Sequence, residues 1–430
     1  MIINMSGYFS KLGVEMNYRP RMQEQLIGQM ADYFKIVFLV GARQVGKSTL
    51  LSHLWPESPV IVFDPIWDVH SAKADPELFL NKYRKPLILD EVQFVPELLP
   101  VLKRRVDLVG KPGQYFMTGS QQMSILKSVT ESLAGRVAIV EIGPMSPAEA
   151  YRLDFQKSNW LQAYLADPHS LLDRFQGVTG EELPPLFDLI WRGGMPGVLD
   201  LPENLIVSYF ASYIQTYVER DVRTLEDITN LAEFTKFFSL LAALTSQEIN
   251  YSQLGREIGL SPATAKRWLN LLQYTYQWKE VPAFHGNLIK RVSSKPKGYF
   301  TDTGLACALM RFSTSAVIFP SNMAGPLFET FCFNLIRTFS SVLPISMNIY
   351  HWRSQAGSEV DLILELDGKF YPIEIKIKGV PSGHDARGIL AFRQSYPHLQ
   401  IMPGLVLHAG SHCYWLGEHA IALPWNSLLV

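Results

Sequence analysis

The sequence predicts an α/β fold in which a parallel sheet carries a phosphate-binding loop and leads into helical and further α/β parts. Three observations predict it. Gly41-Ala42-Arg43-Gln44-Val45-Gly46-Lys47-Ser48-Thr49 reads G-x-x-x-x-G-K-S, behind the apolar run 36–40 and ahead of Leu50, Leu51 and Leu54 at helical spacing. Pro86-Leu-Ile-Leu89-Asp90-Glu91 is an apolar run closed by two carboxylates, as a buried parallel strand emerging at its C-terminal end should be. Near the C-terminus, residues 349–353, 359–366 and 370–376 have the alternation of an antiparallel meander, with Leu366-Asp-Gly-Lys369 as a hairpin turn.

At 430 residues the chain is too long for one ordinary core, so two to four domains are expected. A formal charge of −1 excludes a globally basic nucleic-acid binder, and any basic surface must be local. Cys307, Cys332 and Cys413 are far apart and form no C-x-x-C pair, which reads as buried small hydrophobes in a reducing compartment. No apolar run reaches membrane-spanning length and residues 1–10 lack a signal layout. A cytoplasmic protein without membrane attachment is expected.

Residues 22–34 have helical spacing and lead into strand 36–40. Gly41 and Gly46 allow a loop whose N–H groups all point inward, and the helix opening at Lys47 adds its positive dipole end. Lys47 can reach β- and γ-phosphates, and the Ser48 hydroxyl can ligate Mg²⁺. The run 60–64 is the next strand, residues 76–83 a polar helical segment, and 86–91 the acidic strand. Asp90 can hold Mg²⁺ through water, and Glu91 can orient and deprotonate an attacking water. Residues 98–108 read as a helix. Tyr115-Phe-Met117-Thr118-Gly119-Ser120-Gln121 is a strand running into polar residues. Were it inserted between the loop strand and the acidic strand, it would deliver Thr118, Ser120 or Gln121 to the γ-phosphate; a turn making only local bonds is the alternative. Leu133-Ala-Gly135-Arg136 precedes a last strand, 137–142, and Arg136 reads either as an arginine finger toward a neighbouring subunit's nucleotide or as a solvated surface residue.

This order of elements resembles the AAA+ ATPases. Gly41-Ala-Arg-Gln-Val-Gly-Lys-Ser, Leu89-Asp-Glu, Met117-Thr-Gly-Ser and Ser132-Leu-Ala-Gly-Arg look like a bacterial and archaeal branch whose members carry a C-terminal domain of unknown function. The resemblance implies a P-loop NTPase sheet over 1–147 that binds ATP and Mg²⁺, with Lys47, Asp90, Glu91 and Arg136 catalytic, and a homo-oligomer. It implies a helical lid over 148–234, where the clearest helical segments are 160–165, 185–191 and 206–218. In the charge cluster 218–223, Arg220 or Arg223 would then contact nucleotide; a helix-end ion-pair cluster is the other reading.

Residues 251–269 are sharper. A short helix ends at Gly259, Ser261 caps a second helix beginning at Pro262, and Leu269 and Leu272 face inward with Leu254 and Ile258. This is a helix-turn-helix, placed in a winged module over 235–312, that exposes Thr264, Lys266 and Arg267 toward DNA. Residues 276–285 and 299–300 supply the wing, and Lys290, Arg291, Lys295 and Lys297 a local basic patch. A helix-turn-helix used only for packing is the alternative.

In the final part, 313–430, residues 325–339 form an amphipathic helix carrying Glu329, ahead of the meander. Period two puts Glu374 and Lys376 on one face, with Asp361 on the neighbouring strand. A helix over 385–394 and a strand over 404–408 follow. The arrangement resembles the α/β restriction-endonuclease-like fold of the PD-(D/E)XK nucleases, with Asp361, Glu374 and Lys376 on the motif and Glu329 as the first-helix acid. That implies a divalent-metal site at Asp361 and Glu374, suited to phosphodiester hydrolysis; a cross-strand Glu–Lys pair is the competing reading. The expectation is an oligomeric ATPase that acts on DNA. The alternatives are a nucleotide-gated signalling switch with an inert nuclease-like domain, and a C-terminal domain serving assembly alone.

Overall fold

The computed structural model describes residues 18–63, 69–120, 129, 132–154, 159–175, 183–218, 222, 228, 230–287, 291 and 294–429. The chain divides into two compact units. The first comprises residues 1–145 and 274–276, the second 146–273 and 277–430.

The first unit is a five-stranded parallel sheet with helices, its strands lying side by side in the order 60–62, 87–90, 115–119, 36–40 and 137–141. Helix α1 (Glu24–Tyr33) leads into β1 (Ile36–Val40), and helix α2 (Lys47–Leu54) follows the loop. Then come β2 (Val60–Val62), β3 (Leu87–Asp90), helix α3 (Leu98–Val109), β4 (Tyr115–Gly119) and β5 (Val137–Glu141). Every residue of β1, β3 and β4 is buried, as continuous apolar runs in a sheet covered on both faces must be. β5 alternates buried with exposed or partly buried positions because, among the described residues, it pairs only with β1 at the edge. The expected insertion of 115–119 between the loop strand and the acidic strand is what the sheet order has.

The second unit begins with helices. Of these, α4 (Glu203–Tyr217) buries Ile206, Phe210 and Tyr213 at one-turn spacing, and α5 (Leu231–Ala243) is capped by Asn230, whose side chain accepts the Glu233 N–H. After β6 (Gln247–Glu248), helix α6 (Tyr251–Glu257) meets α7 (Pro262–Tyr274) across a turn in which Gly259 has φ +73. Gly255 lets the turn come close, since a Cβ there would lie 2.6 Å from the Leu260 carbonyl oxygen. Leu254, Ala265, Trp268, Leu269 and Leu272 are buried, while Ile258 is only half-buried. Strands β7 (Trp278–Val281) and β8 (Lys297–Phe300) pair antiparallel, and the unforeseen β6 adds to β8.

Helix α8 (Ala324–Ser340) precedes β9 (Asn348–Arg353), β10 (Glu359–Leu366) and β11 (Lys369–Lys376), which form the antiparallel meander. Asp367 and Gly368, at φ +49 and +76, turn the β10–β11 hairpin. Helix α9 (Arg387–Ser395) returns the chain to β12 (Gln400–Ile401) and β13 (Gly404–His408), both parallel to β11. β14 (Tyr414–Trp415) and β15 (Ala420–Pro424), which have no counterpart in the expected elements, complete a seven-stranded sheet. Phe284, Trp352, Ile363, Phe370 and Phe392 cluster on it as a core.

Several expectations change here. The basic patch is dismantled: Lys297 is drawn into an ion cluster, and Arg291 lies over the Phe284 and Tyr350 rings at 4.3 and 5.2 Å and pairs with Glu365 at 3.5 Å. Lys295 is exposed, and Lys290 lies outside the described residues. Cys307 and Cys332 are buried, but Cys413 is only half-buried; none of the three is in a disulfide. Gln121, Arg220, Asp221 and Arg223 lie outside the described residues. Among the described residues no helix is long and apolar enough to cross a membrane.

Candidate functional site

The phosphate-binding loop is shaped by left-handed backbone. Gln44 and Gly46 sit at φ +61 and +92, so α2 begins directly at Lys47. Lys47 is buried, and its ammonium donates to the carbonyl oxygens of Gly41 at 3.0 Å and Ala42 at 2.7 Å. Val45 is buried, Arg43 and Ser48 are half-buried, and Gln44 and Thr49 are exposed. Arg21, which sequence reasoning missed, braces the loop from behind: its guanidinium donates to the Val45 carbonyl at 2.8 Å and the Gly143 carbonyl at 2.7 Å.

Strand order supplies the rest. Because β4 lies beside β3, the Thr118 hydroxyl donates to Asp90 Oδ1 and accepts the Glu91 N–H at 3.0 Å. Ser48 Oγ donates to the same Asp90 oxygen at 2.6 Å. Burial, and then the charge of Glu91, raise the Asp90 carboxyl above its ordinary range, while the Ser48 and Thr118 donors oppose that rise. Glu91 turns at φ +58, and its Oε2 accepts from Ser120 Oγ at 3.0 Å and from the Gln93 amide. Gln93 Nε2 also reaches Ser120 Oγ at 3.2 Å. The structure thus gathers Ser48, Asp90, Glu91, Thr118 and Ser120, and adds Gln93. Gln93 carried no signal, being one more polar residue in a turn. Arg136 does not join them: it pairs in two-pronged fashion with Asp107 at 2.6 and 2.9 Å and donates to the Ala134 carbonyl at 2.8 Å.

Thr118 is the keystone of this network. Changing Thr118 to Val keeps the shape but leaves Asp90 short of one donor and the Glu91 N–H without its acceptor. A loss of about 1.5–3 kcal/mol is expected, read as a lower urea midpoint at unchanged slope; an unmoved midpoint would refute that role.

On α7, Lys266 and Arg267 are exposed and Thr264 is half-buried, with its hydroxyl 2.9 Å from Ser261 Oγ. Lys266 Nζ lies 5.8 Å from the centre of the Tyr251 ring.

A second cluster lies in the C-terminal part. The β9–β10 register shifts between Val360 and Ile363, the interval that holds Asp361. Asp361 accepts the Ile375 N–H at 2.9 Å and faces Lys297 at 3.0 Å and Lys376 at 3.7 Å. Glu374 pairs with Lys376 at 2.9 Å; Glu329 pairs with Lys297 at 2.6 Å and accepts from the Tyr299 hydroxyl at 2.7 Å. Burial opposes charge on Asp361, but Lys297 and Lys376 outweigh it and bring the group down to about 2. Burial and then Asp361 push Glu329 up to about 7 and raise Glu374 as well. Lys297 is the member that sequence reasoning did not place here.

Residues 33–151 match a family model described as AAA domain. The first unit carries a domain of the AAA type. Residues 184–316 and 324–428 match two models described as Domain of unknown function, DUF8612 and DUF4143. Two relatives, uncharacterized proteins of Mycobacterium bovis and Mycobacterium tuberculosis, are each 27% identical over 397 residues, covering 92% of this chain and 81% of theirs. Among solved structures, the chain is similar to the Walker-type ATPase of Pyrococcus abyssi, at 15% identity over 69% of this chain and 97% of that one, with a TM-score of 0.41. It is also similar to the RuvB Holliday junction branch migration motor of Thermotoga maritima, at 13% identity over 60% and 88% of the two chains, with a TM-score of 0.28.

Proposed function

We propose that the AAA-type domain binds and hydrolyses ATP and that the second unit couples this to DNA. What carries the reading is the Ser48–Asp90 hydrogen bond at 2.6 Å with Glu91 beside it. A hydroxyl joined to a carboxylate beside a glycine loop is a hard oxygen donor set that suits Mg²⁺, so Ser48 and Asp90 would hold the ion. When bound, it would neutralise charge on the phosphate oxygens. Lys47 exchanges the Gly41 and Ala42 carbonyls for phosphate oxygens of the substrate, and the loop N–H groups and the α2 N-terminus receive the remaining charge. Glu91 takes the proton of the attacking water once Gln93 and Ser120 release its Oε2, and Ser120 then senses the phosphate. Arg136 would leave Asp107 to serve as an arginine finger within a homo-oligomer. In the second unit, α6 and α7 with the β7–β8 pair act as a winged helix whose Thr264, Lys266 and Arg267 meet DNA, beside a nuclease-like C-terminal domain.

The test is the ATP hydrolysis rate with and without DNA, alongside DNA binding over a salt series. Changing Lys266 and Arg267 to Ala together should weaken binding and reduce the slope of log K against log salt by about 2. An unchanged slope would remove α7 from the DNA contact. A second reading, a nucleotide-gated switch that recruits protein partners, is favoured by the double hold on Glu91, which suits slow hydrolysis. It expects retained ADP and no stimulation by DNA.

A further inference from the structure

The likeness to PD-(D/E)XK nucleases implies a divalent cation between Asp361 and Glu374, with Glu329 close by. The residues present do not fit it, because the oxygens that would face such an ion are already taken. Asp361 Oδ1 is held by the Lys297 ammonium at 3.0 Å, and Oδ2 by the Ile375 N–H at 2.9 Å, with Lys376 at 3.7 Å. Glu374 Oε2 meets Lys376 at 2.9 Å. Its other oxygen lies under α9, where a Cβ on Gly388 would be 2.0 Å from it, so no space remains on that side. Glu329 shares its Oε1 between Lys297 at 2.6 Å and the Tyr299 hydroxyl at 2.7 Å. Among the described residues, no three of His, Cys, Asp and Glu are arranged to hold a metal ion.

We propose that the Lys297 ammonium stands in the place of that cation, and that the acidic site of the C-terminal domain is a metal-free ionic junction. Three carboxylates converge on two ammonium groups. A divalent ion entering between Asp361 and Glu329 would have to expel Lys297 or lie against its positive charge, and either opposes binding. Lys297 comes from β8, whose pairing with β6 and β7 fixes it in the three-stranded sheet. The ammonium therefore fastens that sheet to β10 and to α8. The hydrolytic role of such a site is closed off, and its acids serve cohesion between two parts of the second unit. The junction still borders solvent: a cleft of about 540 Å³ is lined by Lys297, Glu329 and Asp361, with Lys295, His351 and Glu359 around it. Removing Lys297 would thus open a route for a metal ion to the carboxylates. The inference stands apart from the ATP reading, since it concerns none of the loop residues.

The experiment is calorimetric titration of the full chain with Mn²⁺, without nucleotide, for the parent and for Asp361→Asn, Glu329→Gln and Lys297→Met. The parent and the two acid variants should take up equal amounts of Mn²⁺, whereas Lys297→Met should gain one equivalent that the added Asp361→Asn change removes. A parent equivalent that disappears in Asp361→Asn or Glu329→Gln would overturn the proposal. So would a folded Lys297→Met protein that binds no more Mn²⁺ than the parent. Should Lys297→Met fail to fold, comparing the parent with the acid variants still decides the matter.

Discussion

Changing Glu91 to Gln is expected to slow ATP hydrolysis by about 10²–10⁴-fold while ATP still binds. The replacement has nearly the same shape, and its amide can still meet Ser120 and Gln93, which hold the Glu91 carboxylate now. What it loses is the ability to take a proton from water. The factor corresponds to about 3–5 kcal/mol of transition-state stabilisation. Binding is spared because the phosphate contacts come from elsewhere: Lys47, the loop N–H groups and the Ser48–Asp90 pair. Single-turnover hydrolysis and a nucleotide titration on the same preparation separate the two. A parent rate no higher than that of the variant would remove Glu91 as the base, and with it the motor.

Some of this was legible locally and some was not. The run before Gly41 and the carboxylates after Leu89 could be read because a buried parallel strand, a glycine loop and a strand end each leave marks within a few residues. The two helices within 251–274 were readable for the same reason, through Gly259, Ser261 and Pro262 at the turn and the second cap. The meander was readable from alternation and from Asp367-Gly368. Lys297 was misread because its sequence neighbours are basic, and basic neighbours in sequence look like a solvated face. Its true partners, Glu329 and Asp361, are 32 and 64 residues away and meet it only when β8, α8 and β10 pack. Gln93 and Arg21 fail the same way: a polar residue in a turn and a cation ahead of a helix have no local mark of the carbonyl or carboxylate they will meet. Strands β6, β12, β14 and β15 were missed because three are only two residues long and the fourth, Ala420–Pro424, ends in proline. Pattern reveals periodicity and termini; it does not reveal which distant ion a buried charge will answer.

The glycine that opens the loop is a position where one added carbon should harm the fold severely. Gly41 has φ +149, and a Cβ there would lie 2.0 Å from the Ile142 carbonyl oxygen. That oxygen cannot simply retreat. The Ile142 N–H donates to the Val40 carbonyl at 2.7 Å, β5 is in register with β1 up to Val40–Glu141, and Arg21 pins Gly143 to Val45. The clash therefore falls on two backbones tied on both sides. Gly41→Ala is expected to cost about 3–5 kcal/mol, seen as a large fall in urea midpoint, and to abolish nucleotide binding in whatever fraction remains folded, because Lys47 rests on the Gly41 and Ala42 carbonyls. Gly28 is the internal control. It lies in α1 with nothing within 4 Å of a built Cβ, so Gly28→Ala should raise stability by about 0.4–1 kcal/mol. If both variants unfold at the parent's midpoint, the loop is not held by this contact, and some other feature must keep the glycines in their turn.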